Sequence, residues 1–126
     1  MKEFEVECVI KLKVTAEDID DIIATAFEGG INYWCKEAEV VGDYLGEFAS
    51  DQISRGGVVR LYDAENDDVY ELTLDKVLKA IQRAYSERWF CDYEWCNGET
   101  IDTYNVDAMV ADAIVQLALF DDVIFG

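Results

Sequence analysis

From Lys2 to Val14 the chain alternates. Phe4, Val6, Cys8, Ile10, Leu12 and Val14 fall on one face, and Glu3, Glu5, Glu7, Lys11 and Lys13 fall on the other, with Val9 the exception. A period of two with one apolar face predicts a long, half-buried β-strand. Thr15 then opens T-A-E-D, an N-cap followed by acids that suit the positive end of a helix dipole. Ile19, Ile22, Ile23, Ala26 and Phe27 recur at helical spacing, and Gly29-Gly30 predicts the stop.

Residues 31–54 carry a weaker pattern. The aromatic run Ile31 to Cys35 predicts a core segment, Glu37 to Val41 a short strand, and Tyr44 to Ile53 a weak helix closed by Gly56-Gly57. Val58 to Tyr62 and Val69 to Leu72 are β-type runs on either side of the polar D-A-E-N-D-D turn, so they predict a hairpin. Thr73 caps a second helix with Leu74, Val77, Leu78, Ile81 and Tyr85 on one side and Lys76, Lys79 and Arg83 on the other. A third helix is predicted over about Val106 to Phe120. Asp112 and Gln116 are its only polar residues after Ala108, which predicts burial on most sides. Val123 to Phe125 reads as a short final strand. The expected fold class is α+β: a single domain over residues 1–126, mainly antiparallel sheet from the long N-terminal strand and the hairpin, packed with three to four helices.

Composition agrees with a folded domain. Of the 126 residues, 52% are hydrophobic, too many for a disordered chain. No apolar run reaches the length of a membrane span, and Met1 to Glu5 lacks the apolar stretch of a signal peptide, so the expected location is the cytoplasm. In that reducing setting Cys8, Cys35, Cys91 and Cys96 are expected as free thiols. Only Cys91 and Cys96 are close, as C-x4-C, and with no histidine in the chain a four-cysteine zinc site is the less favoured reading beside small buried hydrophobes.

Charge changes the picture most. Against 28 acids stand 10 bases, a net of −18. Such a field repels nucleic acid and anionic lipid and attracts basic surfaces. It also destabilises the compact state by self-repulsion, so something other than stability is expected to maintain it. The excess sits in two places: residues 14–54 hold ten acids and one base, and residues 89–126 hold eight acids and none, whereas 1–13 and 55–88 are nearly balanced. Residues four apart on a helix stand about 6 Å apart, and phosphates along one DNA strand rise about 3.4 Å each. A row of helical carboxylates can therefore stand in for a phosphate row, although any acidic helix has this geometry. Tyr33, Trp34, Trp89, Tyr93 and Trp95 are interleaved with the acids. Exposed, they would anchor an interface; core filling is the favoured reading for Trp34 and Trp89.

The absent chemistry narrows the function. Without histidine, Ser-His and Cys-His nucleophile systems are excluded, and neither glycine-rich nucleotide fingerprint occurs. Asp63-x-Glu65-x-Asp67 has part of a calcium-loop spacing, but Asp68 stands where the glycine belongs and Leu74 where the closing Glu belongs, so a hairpin turn is expected. No cofactor or metal is expected, and the chain reads as a binding protein, not an enzyme.

The stretch Glu28-Gly29-Gly30-Ile31-Asn32-Tyr33-Trp34-Cys35, preceded by the acidic helix, resembles one found in small uncharacterised proteins of phages and prophages. In size and acidity the whole chain is similar to phage-encoded inhibitors of host defence, the anti-CRISPR and anti-restriction proteins, many of which imitate DNA. That similarity of profile implies a basic nucleic-acid-binding partner, a CRISPR effector or restriction enzyme, and no direct contact with nucleic acid or membrane. The candidate partner-binding residues are Glu17, Asp20, Asp21, Glu28, Glu37 and Glu39, with Asp92, Glu94, Trp95, Glu99 and Asp102 as a second patch. Two readings compete with this one. One is a phage assembly or accessory protein, open to homo-oligomerisation, whose acidity serves solubility. The other is a carboxylate-dependent metal enzyme.

Overall fold

The computed structural model describes residues 2–8 and 10–126. Its elements are α1 (Ala16–Thr25), β1 (Cys35–Val40), β2 (Val59–Asp63), β3 (Val69–Leu72), α2 (Leu74–Ser86) and α3 (Ala108–Phe120). The strands form one antiparallel sheet in the order β1-β2-β3. Three helices on a small antiparallel sheet make the fold α+β, as the sequence predicts.

Each helix follows from its pattern. Thr15 and Asp18 form a reciprocal capping box at the start of α1: the Thr15 hydroxyl accepts from the Asp18 amide and the Asp18 carboxylate accepts from the Thr15 amide, both at 3.0 Å. Ile19, Ile22 and Ile23 bury the inner stripe. The helix then widens into a π-helical turn over Ala26–Gly30. Gly30 is required there by proximity: a Cβ would sit 2.7 Å from the Ala108 carbonyl oxygen. In α2, Val77, Ala80, Ile81 and Ala84 are buried, and Lys76 and Lys79 are exposed. The apolar α3 is enclosed from Val110 to Leu117 by α1, α2, the π turn and β3.

The inner face of the sheet carries Val59, Leu61 and Leu72, all fully buried. Its outer face carries Glu37 and Glu39 on β1, Arg60 and Tyr62 on β2, and Glu71 on β3. Arg60 lies between Glu39 and Glu71 in register. The 64–68 loop is the predicted hairpin turn. Asp63, buried at its start, accepts from the Glu65 amide at 2.9 Å and the Tyr70 hydroxyl at 2.9 Å. The Glu65 amide, foremost, holds this carboxyl below the ordinary range.

Four expectations are corrected. Residues 2–12 form no strand among the described residues. Lys13 makes a lone bridge to Thr100, its amide donating to the Glu99 carbonyl at 2.8 Å. A strand is defined by its neighbour, and none of the three strands pairs with this segment. Val9 lies outside the described residues. Residues 44–53 are not a helix but bends and two 3₁₀ turns, Ala49–Asp51 and Ile53–Arg55. The fully buried Gln52 amide organises them, accepting from the Leu45 amide at 2.6 Å and donating to the Phe48 carbonyl at 2.7 Å. Residues 123–125 form no strand. The amides of Ile124 and Phe125 donate instead to the Gln116 side chain, and the Phe125 ring stacks on Trp34 at 4.9 Å. Finally, Trp95 is a core residue, 2% exposed, with its indole N–H donating to the Trp89 carbonyl at 2.8 Å.

One polar cluster lies inside this core. The buried Asp112 carboxylate accepts from the Trp34 indole at 2.8 Å, the Gln116 amide at 2.8 Å and the Tyr33 hydroxyl at 2.6 Å. Burial, then the Asp112 hydrogen bond, pushes the Tyr33 hydroxyl up to about 12. These contacts fasten α3 and residues 124–125 to the turn before β1.

Candidate interaction surface

The acids predicted as a binding surface divide when the chain folds. All acids among the described residues are exposed except Asp18, Asp20, Asp51, Asp63 and Asp112. Self-repulsion of carboxylates favours this outcome, because each charge spared a neighbour or a low-dielectric surrounding costs less.

Glu17 and Asp21 lie one turn apart on the outer face of α1, about 6 Å along its axis. Asp21 is fixed by the Thr103 hydroxyl, which donates to it at 3.0 Å. That bond joins α1 to the 3₁₀ turn Thr103–Asn105, and so brings the first acidic stretch against the second. Asp102 caps the turn by accepting from the Tyr104 amide at 3.1 Å. The Asn105 side-chain amide reaches the Glu94 carbonyl at 3.2 Å and the Asp102 carboxylate at 3.3 Å. Asp21, Asp102 and Glu94 are therefore one neighbourhood, although they are far apart in sequence.

A groove of about 440 Å³ opens beside them, between α1 and the 48–51 segment. Asp20, Asp21, Glu28 and Asp51 edge it, and Ala24, Phe27, Phe48 and Ala49 supply its apolar lining. Glu28 is exposed on this rim, and its carboxylate makes no hydrogen bond or ion pair with another described residue. Asp20 has a structural duty in addition. It accepts from the Ser54 hydroxyl and stands 4.0 Å from Arg55, and so ties α1 to the second 3₁₀ turn.

The remaining predicted residues lie elsewhere. Glu37 and Glu39 project from the outer sheet face, where Glu39 accepts from the Tyr62 hydroxyl at 2.8 Å and raises its pKa. Asp92 and Glu99 are exposed in the irregular 88–101 segment, and the Glu99 backbone is engaged by Lys13. The fold thus joins the α1 acids to Glu94 and Asp102, and leaves the β1 pair as a separate surface.

Three participants escaped the sequence reading. Asp51 and Phe48 belong to the groove, and Tyr104, 96% exposed, stands beside Asp102. Tyr104 has a signal in hindsight: it sits between Asp102 and Asn105 with no apolar neighbour on either side. Of the aromatics interleaved with the acids, Trp34 is buried and Trp89 partly so, as core filling requires, whereas Tyr33 and Tyr93 are exposed. Among the described residues no group of three or more Cys, Asp and Glu side chains is arranged to hold a metal ion. Compared with known protein families, with curated proteins and with solved structures, the chain finds no match.

Proposed function

We propose that the protein occludes the basic nucleic-acid-binding surface of a host enzyme, and that this enzyme is a defence nuclease, a CRISPR effector or a restriction enzyme. The observation that carries the reading is the junction of the two acidic stretches at Asp21 and Thr103. Through it Asp21 meets the 103–105 turn, which adjoins Asp102 and the Glu94 backbone, and Asp21 and Glu28 share the rim of the neighbouring groove, which supports the reading. A partner's Lys and Arg side chains would exchange phosphates for these carboxylates. The field of a −18 chain would steer the encounter at low ionic strength. Occlusion needs no catalytic group, which suits a chain without histidine or a nucleotide fingerprint. The defence-nuclease target comes from the similarity of profile to phage-encoded inhibitors.

The test is a pair of charge-reversal variants in a host-lysate capture experiment. E17K/D21K/E28K is expected to weaken capture of the target by at least about tenfold and to flatten its salt dependence. E37K/E39K, on the separate sheet face, is expected to retain both. Unchanged affinity and salt slope in both variants would refute mimicry by these surfaces.

A further inference from the structure

The groove beside α1 has an apolar floor that carboxylates replacing phosphates would not need. Asp20, Asp21, Ala24, Phe27 and Glu28 line its α1 side, including the π turn, at positions i, i+1, i+4, i+7 and i+8. At 1.5 Å per residue that stripe runs about 12 Å, a little over two turns. Its acids stand at the two ends, and Ala24 and Phe27 lie between them. Phe48, Ala49 and Asp51 line the other side. Among the described residues that line the groove, none is a lysine or arginine.

The second wall is built in advance. Tyr44 is 61% exposed, Leu45 52% and Phe48 60%, three large apolar side chains within five residues. Such a concentration marks an interaction site, where single exposed apolar residues do not. The backbone that carries them is ordered by polar bonds. The buried Gln52 side chain accepts from the Leu45 amide and donates to the Phe48 carbonyl, and the Asp51 carboxylate accepts from the Phe48 amide at 3.1 Å. An anchor whose backbone is already fixed loses little further freedom on binding.

We infer that this groove seats a basic amphipathic helix of the occluded enzyme. Acids at both ends require Lys or Arg about two turns apart on the incoming element. The apolar middle, with the small Ala24 and Ala49 beside Phe27 and Phe48, requires an apolar side chain between those bases. A helix supplies both in one stripe at i, i+4 and i+7, the spacing of α1 itself. Nucleic acid does not fit, because the rim repels phosphate. A second copy fits poorly. The exposed basic side of its α2 is already engaged, Lys76 by the Glu71 carbonyl and Arg83 by Glu87, and each copy adds a charge of −18. The inference rests on the proposed occlusion for the identity of the partner, and on the groove alone for the chemistry of the helix.

A synthetic peptide tests it. The probe is a helix of about 15 residues with leucines at i, i+4 and i+7 and arginines beside them. Its control replaces the leucines with glutamine and keeps the charge. Fluorescence anisotropy at about 0.15 M and 0.5 M salt reads binding, and amide shifts in NMR locate it. The native chain is expected to bind the leucine peptide at least about tenfold more tightly than the control, with shifts at Ala24, Phe27, Phe48 and Ala49. Phe48→Ala is expected to weaken it by at least about fivefold and to leave its salt dependence unchanged. Glu28→Lys is expected to weaken it and flatten the salt dependence. Phe48 meets Gln52 and Asp51 through its backbone, so an unchanged thermal melt in Phe48→Ala separates lost contact from lost fold. Equal binding of the two peptides overturns the inference, as does a leucine peptide that Phe48→Ala does not weaken. Either result leaves capture of a salt-sensitive enzyme, on which the proposed function depends, untouched. Self-association in sedimentation velocity that Phe48→Ala abolishes would put a second copy in the groove and also overturn the inference. Peptide binding at the groove without capture of such an enzyme would refute the occlusion and keep the helix site.

Discussion

Asp112 is the residue whose loss the structure prices most clearly. It is buried in α3, and three donors converge on it: the Trp34 indole, the Tyr33 hydroxyl and the Gln116 amide. Truncation in Asp112→Ala removes the common acceptor and leaves the donors. The Tyr33 hydroxyl lies near the surface and can turn to the Phe125 carbonyl, 3.3 Å away. The Trp34 indole is buried and has no second acceptor among its hydrogen bonds. The Gln116 amide keeps the Tyr33 hydroxyl at 3.1 Å and a long contact of 3.4 Å to the Phe125 carbonyl. An orphaned buried donor costs about 1 to 3 kcal/mol, more when its lost partner was charged. One orphaned donor and two weakened ones, with some relief from no longer burying a carboxylate, give a loss of about 2 to 4 kcal/mol. Asp112→Asn retains volume and one acceptor oxygen and should cost about 1 to 2 kcal/mol. Urea unfolding followed by tryptophan fluorescence reads both, with an unchanged m-value for a local loss. A second readout is specific to the network: without Asp112 the Tyr33 hydroxyl should titrate below its present value of about 12. An Asp112→Ala variant within about 1 kcal/mol of the native chain would refute the assignment of this carboxylate as the hub.

Two further predictions rest on single contacts. Gly30→Ala places a Cβ at 2.7 Å from the Ala108 backbone oxygen and should destabilise by about 1 to 3 kcal/mol, whereas Gly29→Ala meets nothing within 4 Å and should be neutral or stabilise by up to about 1 kcal/mol; equal effects in thermal melts would contradict the π-turn packing. Burial, then hydrogen bonding to Asp112 and Asp63 respectively, raises Tyr33 and Tyr70 from an ordinary value of 10.0 to about 12. Folding therefore favours their neutral forms, so that stability is fully present below pH 10, and falls as pH rises towards 12; two tyrosines that titrate normally while the fold persists would contradict it.

The helices were legible because local signals and burial agree in them. Thr15, Thr73 and the apolar stripes of α1 and α2 each specify one answer, and α3 is so apolar that only enclosure suits it. The hairpin was legible because its two runs and its polar turn are adjacent in sequence. What escaped depends on contacts between distant residues. Gln52 looks like a helix former at residues 44–53, but its buried amide serves the loop backbone at Leu45 and Phe48. Residues 124–125 are held by Gln116, a side chain that accepts from both their amides, and not by a strand neighbour. The N-terminal alternation is genuine β pattern, but pattern gives only a face and not a partner.

The candidate surface was legible in charge and not in shape. That most acids of residues 14–54 and 89–126 are exposed follows from electrostatics. That Asp21 meets the 103–105 turn does not, because one hydroxyl bond across 82 residues sets it. Trp95 shows the limit from the other side. Its acidic neighbours suggested an exposed anchor, yet its ring fills the core while Asp92 and Glu94 face solvent, because the irregular 88–98 backbone, with positive φ at Arg88, Phe90, Glu94 and Gly98, turns adjacent side chains apart.

In the proposed function, the acidic surface on α1 and the 94–105 segment takes the place of nucleic acid on a basic enzyme. The most direct measurement is capture from host lysate on the immobilised chain at about 0.05 M and 0.5 M salt, a range over which the screening length falls about threefold, with duplex DNA as competitor. The account predicts a nucleic-acid-binding enzyme that is held at low salt, released at high salt, displaced by DNA, and lost with E17K/D21K/E28K. A partner held equally at both salts and indifferent to DNA and to those three reversals would contradict it.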